Sequence, residues 1–201
     1  MSSEIRVRVR VAEAGDERAI VDILVEGLGA KLLPAFGKAA RRAVAAMVRY
    51  EVSHPDPSYR VASEDDQVLG VVHLDSGVAR KPSLLTAIRR EVGWVTTARA
   101  TAVLAALSPP LPRQDEAVVE ELAVRPDARR RGIASALLHR CEHDASQLGK
   151  SALILQVTTD NDAAIELYRG FGYQVRSHRR WRLRRRLFHS PGALIMQKPL
   201  H

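Results

Sequence analysis

The chain holds a single cysteine, Cys141, so no disulfide can close within it and no cysteine-based zinc site can be built. Aromatic residues make up only 4% of it, which disfavours a surface that stacks nucleobases. No run of about 18 apolar residues occurs, which excludes a membrane-spanning helix. Met1 to Arg10 carries charges where a signal peptide needs an apolar stretch. Together these absences lead to the expectation of a cytoplasmic protein with no membrane partner. Internal repeats and low-complexity segments are missing as well. Lysine is scarce: of 31 basic residues, 5 are Lys and 26 are Arg.

What is present suits one globular domain spanning residues 1–201. The composition is 46% hydrophobic and 27% charged, enough apolar material to bury a core without covalent staples. The net charge of +8 permits anionic cofactors, nucleic acid or acidic partners and chooses none of them.

Ile5, Val7, Val9 and Val11 alternate with arginines, the period of a strand with one buried face. Asp16 is placed to cap a helix whose stripe is Ile20, Ile23, Leu24 and Leu28, and Pro34 and Gly37 punctuate it. A second helix is expected from about Lys38 to Val52. Tyr59–Val61 and Val68–Leu74 read as a hairpin turned at Glu64–Gln67. From 80 to 113 the apolar spacing turns helical through Leu84, Ile88, Val92 and Val95 and again from Ala98 to Leu107. This is a helical insertion, either a hairpin or one kinked helix, between the third and fourth strands. Ala117–Val124 is a strand, 132–148 a helix stopped by Gly149, and Ala152–Val157 a near-continuous apolar strand of the parallel kind. Asp160 or Asn161 caps a short helix that ends at Gly172. Strands over 173–183 and 194–196 complete a mixed α/β sheet of about seven strands with helices on both faces.

One stretch carries chemistry. Residues 119–134 run strand, turn, basic glycine-containing loop, helix. Unpaired N–H groups at a helix N-terminus, with the helix dipole, attract an anion. Gly132 lets that anion approach the backbone, and Arg129, Arg130 and Arg131 add charge. The loop lacks the Gly-Lys-Ser/Thr of a P-loop and the three-glycine spacing of a dinucleotide fingerprint.

Arg129-x-x-Gly132-x-Ala134, preceded by Glu120-Glu121-Leu122-Ala123-Val124, resembles the signature of the GCN5-related N-acetyltransferase (GNAT) family. Asn161-x-x-Ala164-Ile165-x-Leu167-Tyr168, followed by Gly172-Tyr173, is similar to that family's second cofactor motif. The resemblance covers about 118–175. It implies a GNAT-like fold and transfer of an acetyl group from acetyl-CoA, with no metal, to a primary amine of unknown class. It further implies that Leu122, Ala123 and Val124 offer main-chain groups to the pantetheine arm beside a bulge in that strand. Arg129, Arg130, Arg131, Gly132, Ile133, Ala134 and Ser135 would hold the pyrophosphate, Asn161 would touch the cofactor arm, and Tyr168 would be the general acid. Glu120 and Glu121 are the candidate bases, Glu120 first. Strand alternation is expected to turn one of the two toward solvent. Gln156, where some peptide-acetylating relatives carry a glutamate, has no basic oxygen to offer.

Other residues have plainer readings. Cys141 lies on an apolar helix stripe. His73 sits in a strand, structural or lining the acceptor cleft. Trp94 is packing, a wall of the acceptor pocket, or the contact of a homodimer. Seven arginines between Arg176 and Arg186, including Arg184 and Arg185, form either a solvated strand and hairpin or a surface for an anionic partner. The alternative functions are a non-catalytic coenzyme A-binding module and a basic nucleic-acid-binding protein, the latter disfavoured by the aromatic content.

Overall fold

A computed structural model describes residues 7–54, 58–77, 82–107, 112–181 and 190–200. Among the described residues, seven strands form one sheet in the order β1-β2-β3-β4-β5-β7-β6. They are β1 (Arg8–Val11), β2 (Tyr59–Glu64), β3 (Gln67–Asp75), β4 (Glu116–Val124), β5 (Ala152–Thr158), β6 (Gln174–Arg180) and β7 (Gly192–Pro199). Only β4 and β5 pair in parallel; the other neighbours are antiparallel. The helices are α1 (Glu17–Phe36), α2 (Ala40–Val52), α3 (Pro82–Val92), α4 (Trp94–Leu107), α5 (Ile133–Gln147) and α6 (Asp162–Gly170).

The two faces of the sheet carry separate cores. On one, Ile20, Ile23 and Leu24 of α1 and Val44 and Val48 of α2 pack against Tyr59, Val61, Val71 and Ala123. On the other, Ile133, Leu137, Leu138 and Cys141 of α5 pack against Val72, Leu74, Val119 and Leu155. Full burial of each such aliphatic side chain contributes about 1.5–3 kcal/mol. Gly70 is where α5 presses closest on β3: an added Cβ would lie 2.9 Å from Ile133 Cγ2. The β2–β3 turn is two residues, Asp65 and Asp66, both at positive φ, the geometry that matches strand twist in a tight hairpin.

Several local expectations need correction. Asp16 occupies the N-cap of α1 but makes no capping bond. Its carboxylate instead accepts two bonds from the Arg10 guanidinium, at 2.6 and 2.8 Å, and one from the Glu13 N–H. A charge-assisted bidentate pair outcompetes a neutral cap. Burial opposes that charge, yet the Arg10 bonds hold the Asp16 carboxyl below its usual range. Helix α1 also runs through Pro34 and stops at Gly37. Between β3 and β4 stand two helices broken at Gly93, whose φ is +79°. Helix α3 packs on α2, and α4 packs on α1. Val103 of α4 also reaches the buried Trp181 and Ala193.

Candidate active site

The sheet opens at its parallel pair. β4 and β5 are in register from Glu116 opposite Ala152 to Val119 opposite Leu155, and pairing ends there although both strands continue. On its other edge β4 stays paired with β3, but the register slips: His73 faces Glu120, and Val71 faces Ala123. The extra residue on β4 is a bulge in which Glu121 takes a φ of +51°. On the β5 side the main-chain groups of Leu122 and Val124 are thereby left without a strand partner, as an added extended arm requires, whereas Ala123 pairs with Val71 of β3 and the Val124 carbonyl accepts a 3.4 Å bond from Arg129 Nε. The Leu122 and Val124 side chains pack on the α5 core and that of Ala123 on the α1 core.

The basic loop follows directly. Arg130 (φ +63°) and Gly132 (φ +77°) are both left-handed, which folds the loop back over the start of α5. Gly132 is the N-cap and supplies no capping side chain, so the first N–H groups of α5 at Ile133, Ala134 and Ser135 remain for an outside anion. A Cβ at Gly132 would meet nothing within 4 Å and would jut into the space an anion needs. The Ile133 side chain is core, at 2% exposure, so only its backbone belongs to the cradle. Arg129 and Arg130 are exposed. Arg131 departs from expectation: its guanidinium bonds Glu64 of the β2–β3 hairpin at 2.7 Å. It thus bridges an open groove of about 830 Å³ on the hairpin side of Gly132. These residues fit a pyrophosphate, with Arg131 as a brace for the loop.

On the α1–α2 face, the bulge changes what the acidic pair can do. Alternation predicted that one carboxylate would point away, but the extra residue breaks the alternation and both turn to the same face. Glu121 Oε2 accepts a 2.6 Å bond from the Tyr59 hydroxyl. Glu120 Oε2 lies 3.3 Å from His73 Nδ1. The Tyr59 and His73 rings meet edge to face, with centroids 4.8 Å apart. Burial raises the Tyr59 phenol well above its usual range, and the Glu121 charge adds to the shift, so it stays a donor. Burial works against a charged His73. The neighbouring Glu120, together with Glu121 and Glu51, outweighs it and lifts the imidazole above its usual value. The Glu120 side chain keeps 24% of its exposure against 14% for His73, so the carboxylate is the more open member of the pair.

Tyr168 lies on α6 among the α5-side core residues, 5.8 Å ring to ring from Tyr173. Burial pushes its phenol up to about 12, so it holds its proton at neutral pH as a general acid must. Asn161 Oδ1 accepts from Ala164 N–H at 3.2 Å and caps α6. That oxygen is committed to the cap, so the side-chain NH2 is what it can offer a ligand. Among the described residues no cluster of three His, Cys, Asp or Glu side chains is arranged to hold a metal.

Sequence reasoning missed Tyr59, the buried Glu116 and the role of Arg176. Glu116 is 2% exposed and is bonded by Arg176 Nη1 at 2.8 Å and by the Arg113 N–H at 2.8 Å. Arg176 is therefore a structural counter-ion rather than a solvated arm of the arginine run. Positions 182–186, with Arg184 and Arg185, lie outside the described residues. Cys141 is core, its thiol pushed up to about 12 by burial. Trp94 is 73% exposed.

The model of the Acetyltransferase (GNAT) family matches residues 26–173. The [ribosomal protein bS18]-alanine N-acetyltransferase of Escherichia coli (strain K12) is 38% identical over 66 residues, 33% of this chain and 45% of that protein. The chain thus spans about half the length of the curated relatives it matches. A GCN5-related N-acetyltransferase from Kribbella flavida superposes with a TM-score of 0.64 at 20% identity, covering 98% of this chain and 100% of that one. The ribosomal-protein-S18-alanine N-acetyltransferase from Escherichia coli superposes at 0.59 and 18%, covering 97% and 94%. The yncA protein from Salmonella typhimurium, solved with acetyl-CoA, superposes at 0.59 and 15%, covering 98% and 95%.

Proposed function

The chain belongs to the Acetyltransferase (GNAT) family, and from that premise we propose that it transfers an acetyl group from acetyl-CoA to a primary amine by direct attack of the amine on the thioester. The observation that carries this reading is the opening between β4 and β5. It lies between an anion cradle at the start of α5 and a carboxylate-lined surface under α1 and α2. Acetyl-CoA supplies the activated acyl group when bound. The start of α5, with Arg129 and Arg130, binds its pyrophosphate, and the free edge of Leu122–Val124 binds its arm. Asn161 touches that arm through its NH2 group, and Tyr168 gives a proton to the leaving sulfur. Glu51, Glu120 and Glu121 favour a cationic amine on arrival.

Deprotonating that amine at pH 7 costs about 4–5 kcal/mol for a lysine and about 1 kcal/mol for a chain N-terminus. The named activity of the curated relatives makes an N-terminal alanine the first acceptor to test. No described helix is long and apolar enough to cross a membrane. A homodimer, if formed, would use the exposed Trp94. The test is an acetyl-CoA turnover screen with free thiol as readout. Its acceptors are peptides with N-terminal alanine, lysine peptides, polyamines and aminoglycosides. Thiol release that tracks one amine class supports the reading. Tight acetyl-CoA binding with no release on any amine would leave a coenzyme A-binding module.

A further inference from the structure

Two carboxylates at the bulge of β4 turn to the same face, and each has met a different partner. Glu121 is held by Tyr59, a side chain 1% exposed whose O–H donates at 2.6 Å. That short bond from a phenol fixed in the core holds the Glu121 carboxylate in one place. Glu120 Oε2 lies 3.3 Å from His73 Nδ1 across the β3–β4 register, within ion-pair reach of a charged imidazole, and its side chain keeps about a quarter of its exposure. The groups around His73 are Tyr59 on β2, Glu120 and Glu121 on β4, and Glu51 on α2.

We propose that Tyr59 and His73 divide the acidic pair. Tyr59 ties Glu121 into the scaffold. His73 is the positioning residue that aims Glu120 into the cleft and sets its proton affinity. This rests on the acetyltransferase reading and adds to it the choice of base and the residues that make the choice. In the step concerned, an N–H bond of the substrate ammonium breaks, its electron pair stays on nitrogen, and the proton goes to a Glu120 oxygen. A charged imidazolium at 3.3 Å makes Glu120 a weaker base, and a neutral imidazole removes that brake while its ring still fixes the carboxylate. The base therefore strengthens as pH rises through the titration of His73. The two residues that divide the pair, Tyr59 and His73, both come from the β2–β3 hairpin and stand edge to face beside the β4 bulge.

The test is the pH profile of kcat/KM on the amine that the turnover screen identifies, in the wild type, His73→Gln, His73→Ala and Tyr59→Phe. Acetyl-CoA affinity by calorimetry serves as the folding and binding control. The wild type is expected to show a rising limb above about pH 6.5, separate from the limb of the amine itself. His73→Gln keeps an N–H beside Glu120 and does not titrate, so it should lose that limb yet stay within about tenfold of the wild type at high pH. His73→Ala loses the aim as well and should fall about 10²-fold at every pH. Glu120→Gln should cost about 10²-fold or more in the wild type, but less in Tyr59→Phe, where Glu121 is released. A His73 resonance followed by NMR should titrate at least about one unit lower in Glu120→Gln. An unchanged limb in His73→Gln, or an unmoved His73 titration in Glu120→Gln, would overturn this proposal and leave the acetyltransferase reading standing. Absence of acetyl transfer to every amine would overturn both.

Discussion

The pair Glu116–Arg176 offers the sharpest test of how the sheet is held. Glu116 opens β4, and Arg176 comes from β6, three strand spacings away across β5 and β7. The face they span carries the small buried cluster Val118, Ile154 and Ile195. Replacing Arg176 with Met removes the counter-charge and leaves a carboxylate that is 2% exposed with the Arg113 N–H as its remaining bond. Breaking a buried pair from one side costs about 3–5 kcal/mol. The Arg176 side chain is itself 35% exposed, so water already weakens the pair, and the expected loss is about 2–3 kcal/mol. For a chain of this length that lowers Tm by about 4–12 °C. Urea denaturation followed by circular dichroism reads the loss directly. Glu116→Met with Arg176→Met removes both charges. It should return to within about 1 kcal/mol of the wild type, because an apolar pair needs no desolvation. Acetyl-CoA affinity should stay the same in both variants. A loss below about 0.5 kcal/mol for Arg176→Met, or a double variant as unstable as the single one, would refute the reasoning and return Arg176 to the solvated arginines.

Gly132→Glu should abolish acetyl-CoA binding in calorimetry while thermal unfolding stays cooperative, because a carboxylate at the start of α5 repels phosphate and fills its space. Tyr168→Phe should lower kcat by about 10²–10⁴ with little change in acetyl-CoA affinity; a loss in affinity equal to the loss in kcat would make the residue structural. His73 is raised in the folded state, so its contribution to stability is fully present below its unfolded value of about 6.5. It fades as pH rises through the folded value. The stability gap between wild type and His73→Gln should therefore be wider at pH 5.5 than at pH 9 in urea titrations, and a gap that widens toward pH 9 would reverse the sign of this argument.

The cradle was legible in the sequence because it is local. Strand, turn, arginines, Gly132 and helix follow one another within sixteen residues, and each step has its own residue signature. The acidic surface was only half legible. The sequence implies a bulge in β4 but does not place it at Glu121, and strict alternation puts Glu120 and Glu121 on opposite faces. Their partners were hidden by distance along the chain: 62 residues separate Tyr59 from Glu121, and the register that brings them together is set across α3 and α4. Arg176 could not be told from the arginines after it, because its partner lies 60 residues earlier and looks like any strand-end carboxylate. Asp16 departs from its sequence signal for the opposite reason. The cap signal was present, but Arg10 stood six residues away with a stronger offer.

The bulge at Glu121 also makes β4 a strand with two parities. Before it, the odd residues Ala117 and Val119 pack toward α5; after it, odd Ala123 packs toward α1, while even Leu122 and Val124 take the α5 side. One strand therefore serves both cores through a single change of phase. Substitution and deletion should consequently behave differently here. Replacing Glu121 alters one side chain, whereas removing it restores strict alternation and drives every later side chain of β4 through the sheet into the wrong core. β4 must therefore keep its count of residues, because a change of one shifts both cores at once.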